Sequence, residues 1–278
     1  MLVFTHADEL QTWAQEQRAQ GVRIGLVPTM GFLHAGHLSL IAEAKKRADR
    51  VAVSIFVNPV QFGPNEDFEK YPRDEARDLE RCREAGASVV FMPSVAEMYA
   101  PDASVLITEE RLSAGLCGAK RPGHFRGVCT VVAKLFNLAL PHVAVFGQKD
   151  YQQAAVIRRM VRDLNFPIQI VVVPILREAD GLAMSSRNVY LVGDERTRAL
   201  GLSRALALAA ERVASGPCAA DTLRAQMCAL LERHALVIDY VQIADAETLE
   251  PVTEARKGNV ALIAIYCGKT RLIDNKIL

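Results

Sequence analysis

The sequence predicts an α/β protein: a Rossmann-like, doubly wound parallel sheet followed by a smaller C-terminal α+β domain. Up to about residue 176, short apolar runs alternate with amphipathic stretches, as buried parallel strands alternate with crossover helices. Beyond that point come Ala- and Leu-rich helices and then strand-like segments with polar turns. We therefore predict two domains, residues 1–176 and a smaller lid domain of residues 177–278.

The elements of the first domain follow in order along the chain. Five runs fit strands buried on both faces: RIGLVP (23–28), RVAVSIFVNP (50–59), ASVVFMP (87–93), HVAVFG (142–147) and IQIVVVPIL (168–176). Four stretches between them fit helices: HLSLIAEAKKRAD (37–49), EARDLERCREAG (75–86), GVCTVVAKLFNLALP (127–141) and YQQAAVIRRMVRDLN (151–165). Gly86 and Pro141 are natural helix stops.

In the second domain, residues 195–234 fit two helices, which Gly216 and Pro217 interrupt. Three strand-like segments follow: LVIDYVQIAD (236–245), GNVALIAIYC (258–267) and TRLIDN (270–275).

Composition narrows the class of protein. Among 278 residues, 33 Lys and Arg balance 32 Asp and Glu, giving a net charge of +1, which gives no indication of a nucleic-acid partner. Six scattered cysteines fit buried thiols in a reducing compartment. Neither a signal-peptide pattern nor an apolar run of membrane-spanning length stands in the sequence. We expect a cytoplasmic protein with no membrane partner.

Polar loops follow several of the predicted strands. They read TMGFLHAGH, NPVQFG, QKDYQQ and READGLAMSSRN. Because parallel strands end at one edge of a sheet, these loops converge where open α/β sheets bind ligands. That edge is the predicted site.

The first loop carries His34 and His37 around Ala35 and Gly36. Three interpretations compete: a metal pair without an evident third ligand, packing or capping histidines, and a phosphate cradle at a helix N-terminus. In the third interpretation, Gly36 lets the backbone approach the anion, and the imidazoles donate hydrogen bonds to it.

Other loops offer further polar groups, of which those in residues 147–150 and 184–187 also fit ordinary surface loops. Ser185, Ser186 and Arg187 suit a pyrophosphate. Lys149 suits a phosphate, and Asp150 suits ribose hydroxyls. Gln153 begins the inward-facing stripe of its helix, which predicts a buried amide that needs partners. Asn58 and Gln61 stand after the second predicted strand. The basic, glycine-rich stretch 114–127 fits either a cover over a polyanionic ligand or a plain surface loop.

A resemblance now becomes visible. PTMGFLHAGHLSLI resembles the H-x-G-H signature of the nucleotidyl-transferase superfamily. Together with SIFVNPVQFGPNEDFEKYPR, RPGHFRGV, FGQKDYQQ and READGLAMSSRNVYL, it is similar in order and spacing to the pantoate–β-alanine ligase family. The similarity runs from about residue 20 to 192 and favours the phosphate interpretation of the histidines.

The resemblance implies ligation of pantoate and β-alanine at the expense of ATP, through a pantoyl-adenylate, with Mg²⁺ and in a homodimer. It implies that His34, His37 and Lys149 are catalytic and that Gln61 and Gln153, with Asn58 and His124, bind pantoate. The implied ATP-binding residues are Met30, Gly31, Phe32, Leu33, His34, Ala35, Gly36, His37, Gly147, Gln148, Lys149, Asp150, Leu176, Met184, Ser185, Ser186 and Arg187. Gln148 departs from the glutamate that many relatives carry.

Two alternatives remain at this stage. A nucleotidylyltransferase that moves AMP onto a phosphorylated acceptor shares the histidine motif, but it needs basic residues where Gln61 and Gln153 stand. A module that senses adenine nucleotides without turnover does not need both phosphate loops and the amide pair.

Overall fold

The structure is a computed structural model that describes residues 1–64 and 66–278. Contacts divide the chain into two compact units. The first unit comprises Met1–Gly147 and Gln153–Pro174, and the second comprises Gln148–Gln152 and Ile175–Leu278. The pattern of the sequence gives no sign that the five residues Gln148–Gln152 belong with the C-terminal part. The division into domains 1–176 and 177–278 stays a prediction.

The first unit is built on six strands: β1 (Leu2–Phe4), β2 (Ile24–Thr29), β3 (Arg50–Ile55), β4 (Val89–Phe91), β5 (Val143–Gly147) and β6 (Gln169–Val173). Its helices are α1 (Ala7–Ala19), α2 (Ala35–Lys45), α3 (Glu75–Ala85), α4 (Val95–Met98), α5 (Leu116–Lys120), α6 (His124–Ala139) and α7 (Tyr151–Asp163), of which α7 takes its first two residues from the second unit. A 3-10 turn, Pro59–Gln61, follows β3.

All neighbouring strands of this sheet are parallel, in the order β1-β4-β3-β2-β5-β6. From β2 the chain progresses through β3 and β4 to one side, and through β5 and β6 to the other. The strand order therefore reverses between β2 and β5, which is the place where doubly wound sheets bind ligands. The predicted fold class is confirmed.

Several details differ from the sequence-based expectations. The N-terminal residues form β1 and α1, to which the apolar pattern assigned no element. The run 168–176 is not buried on both faces, because β6 is an edge strand with an exposed Gln169 and half-buried neighbours. The stretch 114–127 is not a loop but holds α5 and the first turn of α6. The predicted stop at Gly86 is confirmed, since Gly86 ends α3 with a φ of 81°.

The second unit contains α8 (Glu195–Ala199), α9 (Gly201–Ala214), α10 (Ala220–Arg233), β7 (Cys218–Ala219), β8 (Val237–Ala244), β9 (Glu254–Ala255), β10 (Val260–Cys267) and β11 (Thr270–Ile277). Residues 195–219 thus begin with a short extra helix, α8, that the pattern merged with the next one. The sheet β11-β10-β8 is antiparallel. Its buried face packs with α9 and α10 in a core that includes Leu206, Met227 and Ile263.

Two smaller expectations have an outcome in the structure. Four of the six cysteines (Cys82, Cys117, Cys129 and Cys267) are buried, and all six are free thiols. No helix in the described part of the chain is long and apolar enough to cross a membrane.

A close backbone contact in the first unit joins α6 to the turn Pro59–Gln61. A Cβ atom added at Gly127 would lie 2.7 Å from backbone atoms of Val60 and Gln61. Backbone cannot move aside as a side chain can, so only glycine fits there. The turn that carries Gln61 can therefore pack this closely against α6 only because Gly127 has no side chain.

We predict that Gly127→Ala lowers the free energy of unfolding by about 1–3 kcal/mol, because overpacking outweighs the gain in helix propensity. Urea denaturation measures this change. Gly115→Ala is the matched control, since a Cβ atom there meets nothing within 4 Å. Equal stability of the two variants would contradict the packing argument.

Candidate active site

The loop between β2 and α2 is a tight turn at the carboxyl edge of the sheet. Gly31 and Phe32 both have left-handed backbone conformations, with φ of 82° and 49°. The Thr29 hydroxyl donates to the carbonyl of Ser54 at 2.8 Å and accepts from the amide of Gly31 at 3.2 Å. The end of β2 is thereby tied to β3 and to the turn at once.

Asp78 of α3 holds the same turn from the other side. Its carboxylate accepts hydrogen bonds from the amides of Phe32 at 2.6 Å and Leu33 at 2.7 Å. The Asp78 residue is 1% exposed. Burial raises the pKa of its carboxyl, and the two amide donors act in the opposite direction. A Cβ atom at Gly31 would lie 2.9 Å from Asp78 Oδ2, so this contact also requires the glycine.

His34 and His37 form a reciprocal cap on the N-terminus of α2. Nδ1 of His34 accepts from the amide of Gly36 at 3.1 Å, and the amide of His34 donates to Nδ1 of His37 at 3.3 Å. The ring centroids are 4.1 Å apart. A ring nitrogen that accepts a hydrogen bond carries no proton, so both rings are neutral with the proton on Nε2.

This arrangement suits an anion. Two Nε2–H donors stand at the N-terminus of an 11-residue helix, where the helix dipole and the first amides favour negative charge. The same end of β2 lies at the reversal of strand order. The capping and phosphate interpretations are thus compatible, because the cap uses Nδ1 of each ring and the proton stands on Nε2.

A second polar cluster follows β3. The amide of Asn58 donates to Gln61 Oε1 at 3.2 Å and to the carbonyl of Gly127 at 3.1 Å, while its Oδ1 accepts from the Tyr99 hydroxyl at 2.9 Å. Burial raises the pKa of Tyr99 to about 12, against the lowering effect of this bond. Because Asn58 donates to Oε1 of Gln61, the side-chain amide of Gln61 has one defined orientation, with its donor Nε2 at the other end.

Gln61 is 8% exposed, yet its Nε2 contacts only a weak acceptor, Met30 Sδ at 3.2 Å, among the contacts of the described residues. A ligand oxygen would be a better partner for a buried amide of this kind. The contact also joins two of the predicted site residues, which lie on different loops of the first unit.

His124 is engaged by the protein on both ring nitrogens. Its Nδ1 lies 2.9 Å from the carbonyl of Gln61, and its Nε2 lies 3.1 Å from Arg121 Nη1. Arg121 also makes a bidentate pair with Glu66 at 2.7 and 2.6 Å. Burial alone would raise the pKa of Glu66, but the bonds and charge of Arg121 lower it below its ordinary value. His124 therefore supports the Gln61 turn.

One argument from the sequence was wrong. Gln153 is half-buried, and Leu164 further along the same helical line is 51% exposed. The buried amide of this helix is Gln152, which is 4% exposed. Ala154 and Val156 are also buried. The buried face of this helix therefore begins at Gln152, one residue before the position that the apolar spacing indicates.

In the second unit, Gln148–Asp150 forms a 3-10 turn that β11 holds. Asn275 donates to the carbonyls of Gln148 at 2.9 Å and Lys149 at 3.0 Å, and it accepts from Gln148 Nε2 at 3.2 Å. Lys149 Nζ lies 3.8 Å from Asp150 Oδ1. The neutral side-chain amide of Gln148 thus has a hydrogen-bond partner in Asn275.

The other predicted segment of this unit, residues 176–188, is also ordered by specific contacts. The amide of Met184 donates to the carbonyl of Leu176 at 3.0 Å, with a turn at Gly181 between them. Ser185 Oγ accepts from the amide of Arg187 at 3.2 Å and caps the 3-10 turn Ser186–Tyr190. Ser186 is 7% exposed.

The structure thus brings together Met30, Gly31, His34, His37, Asn58, Gln61 and His124 around the loops of the first unit. Sequence reasoning missed Asp78, Asp274 and Asn275. A signal existed for Asp78, which shares the apolar line of α3 with buried Cys82, four residues on. Across residues 1–64 and 66–278, no cluster of three or more His, Cys, Asp or Glu residues could hold a metal ion.

Comparison with known proteins gives a consistent result. The family model described as Pantoate-beta-alanine ligase matches residues 2–277. The pantothenate synthetase of Thermotoga petrophila is 51% identical over 279 residues, covering 100% of both chains. That of Clostridium novyi is 52% identical over 278 residues, covering 100% of this chain and 98% of the relative.

Solved structures agree. Pantothenate synthetase from Thermus thermophilus has a TM-score of 0.90 and 42% identity, covering 100% of this chain and 99% of that chain. Pantoate-beta-alanine ligase from Francisella tularensis, complexed with beta-gamma ATP and beta-alanine, has a TM-score of 0.84 and 32% identity, covering 100% and 97%.

We predict that Asp78→Ala destabilises the first unit, because the buried amide of Leu33 and the half-buried amide of Phe32 lose their carboxylate acceptor. Loss of the acceptor of a buried amide costs about 1–3 kcal/mol. Urea denaturation gives the free energy of unfolding. Asp74→Ala is the control: Asp74 caps the exposed start of the same helix, and its loss costs about 0.5–2 kcal/mol. An Asp78→Ala variant no less stable than Asp74→Ala would rule out the central role of Asp78.

Proposed function

The chain belongs to the pantoate–β-alanine ligase family, and we propose that it joins pantoate to β-alanine at the expense of ATP. The observation that carries the proposal is the match over residues 2–277. The relative from Francisella tularensis, solved with beta-gamma ATP and beta-alanine, supports ATP and β-alanine as substrates. The enzyme is a ligase that forms a carbon–nitrogen bond.

The reaction takes two steps. A carboxylate oxygen of pantoate attacks the α-phosphorus of ATP, the bond to the β-phosphate oxygen breaks, and pyrophosphate leaves with pantoyl-adenylate still bound. The amine of β-alanine then attacks the acyl carbon, loses a proton and expels AMP. A carboxylate is a poor acyl donor until its oxygen belongs to a phosphate leaving group, so the protein mainly positions groups and stabilises charge.

In this proposal the turn after β2 binds the triphosphate. Nε2–H of His34 and of His37 donates to phosphate oxygens as negative charge develops, with α2 presenting its N-terminus to the same anion. The remaining residues from Met30 to Gly36 line the nucleotide. Asp78 contributes indirectly by holding the turn.

Pantoate binds the amides of Gln61 and Gln153. An amide suits a substrate with a hydroxyl and a carboxylate, because it presents donors and an acceptor without charge. The buried Gln61 amide, whose Nε2 contacts a thioether, supports this assignment. Asn58 orients that amide, and His124 supports its backbone.

The remaining nucleotide contacts come from two further segments. We assign phosphate to Lys149 and ribose to Asp150, beside Gly147 and Gln148. Ser185, Ser186 and Arg187 bind phosphate, together with Leu176 and Met184. The role of residues 177–278 as a lid stays a prediction.

Three further parts of the proposal follow from the family resemblance. Mg²⁺ accompanies ATP, since this ion is commonly bound through substrate phosphates. The protein acts in the cytoplasm, and it forms a homodimer.

Exchange of labelled pyrophosphate into ATP tests the proposed function. We expect exchange that requires pantoate and proceeds without β-alanine, because reversal of the first step rebuilds ATP from pantoyl-adenylate. Absence of this exchange in folded protein that binds ATP would contradict the proposal. Exchange that instead requires a phosphorylated acceptor would indicate a nucleotidylyltransferase.

We predict that His37→Ala lowers the rate of pantoyl-adenylate formation by about 100- to 1,000-fold, as loss of one preorganised donor typically does. Single-turnover formation of pyrophosphate measures this rate, and circular dichroism checks the fold. His6→Ala is the control, because His6 also stands directly before a helix, α1, but outside the site. A His37→Ala rate equal to the control would remove the catalytic role.

A further inference from the structure

Two neighbouring residues of β11, Asp274 and Asn275, each hold one of the two segments of the second unit to which nucleotide contacts are assigned above. Both are 2% exposed. Successive side chains of a strand point to opposite faces, so the pair reaches two different segments from one short piece of backbone.

Asn275 serves the turn Gln148–Asp150. Its amide nitrogen donates to two successive carbonyls, those of Gln148 and Lys149, at 2.9 and 3.0 Å. Its amide oxygen accepts from Gln148 Nε2 at 3.2 Å. Both ends of the amide are therefore used, and the backbone that carries Lys149 has one defined position.

Asp274 serves the segment before Ser185. Its carboxylate accepts a bidentate pair from Arg177, at 2.7 and 3.0 Å. The same guanidinium donates to the carbonyl of Gly181 at 3.1 Å. The backbone of Arg177 also forms an isolated antiparallel β-bridge with Ala183. This contact fixes the turn that leads into Ser185, Ser186 and Arg187.

Asp274 and Asn275 are also joined to each other by a hydrogen bond. The amide of Asn275 donates to Asp274 Oδ1 at 2.8 Å, so the carboxylate that holds Arg177 also fixes the backbone of Asn275. A buried carboxylate with three donors is a rigid support.

We infer that Asp274 and Asn275 are positioning residues for ATP: they hold the Lys149 turn and the Ser185–Arg187 segment of the second unit in binding geometry. The inference rests on the function proposed above. In that proposed function, neither Asp274 nor Asn275 contacts a substrate. Their effect is on ATP and leaves pantoate binding, which is assigned to residues of the first unit, unchanged.

Asn275→Ala in the full chain tests the inference. We expect the KM for ATP to rise on the order of tenfold, as loss of the three side-chain hydrogen bonds of Asn275 allows, with the KM for pantoate within about twofold of the original. Asn259→Ala is the matched control. Asn259 is a buried asparagine of the same unit, and it accepts from the amide of Arg256 in the turn before β10.

A purely structural role would raise both KM values together or lower only the stability, as the control would. An unchanged KM for ATP, an equal rise for both substrates, or the same effect in Asn259→Ala would each overturn the inference. If Asn275→Ala does not fold, Arg177→Lys decides, because it keeps the positive charge but loses the bidentate pair with Asp274. A selective rise in the KM for ATP then supports the inference, and no rise overturns it.

The proposed function is checked first and separately, in the unmodified protein. If that protein shows no pantoate-dependent exchange, the proposed function fails. The inference is then decided by the Kd of ATP alone, which calorimetry measures. Weaker ATP binding in Asn275→Ala than in Asn259→Ala supports it, and equal binding overturns it.

Discussion

The turn between β2 and α2 depends on one buried carboxylate. Asp78 binds the amides of Phe32 and Leu33, which follow a glycine with a left-handed backbone. Without that acceptor, the buried amide of Leu33 and the half-buried amide of Phe32 would lose the hydrogen bonds that close the turn. His34, the first of the two histidines, follows directly on the two residues that this contact holds.

The histidines show how a structural and a chemical role share one ring. Capping occupies Nδ1, the nitrogen nearer the backbone, and so determines that the neutral ring carries its proton on Nε2. The cap therefore selects the tautomer that donates a hydrogen bond to an anion. A metal pair would need an unprotonated nitrogen directed at the ion instead.

The two units use the same principle of support. In the first, Asn58 and Tyr99 orient the Gln61 amide, and His124 holds its carbonyl. In the second, Asn275 holds Gln148 and Lys149. In each case a buried side chain with several hydrogen bonds fixes a short turn, because turns at the edge of a sheet lack the regular hydrogen bonds that fix helices and strands.

The sequence by itself determined the α/β class, the succession of strands β2 to β6 along the chain, the stop of α3 at Gly86 and the place of the histidines at the start of α2, because these follow from local periodicity and turn chemistry. It missed β1, because the apolar run that forms this strand of three residues is short, and it misjudged which amide of α7 is buried. Only the tertiary structure identified Asp78 and Asn275. The backbone partners of Asp78 lie 45 and 46 residues away in the chain, and those of Asn275 lie 126 and 127 residues away. Such contacts leave no local pattern, since the carboxylate or amide and the backbone it binds meet only after the sheets have formed.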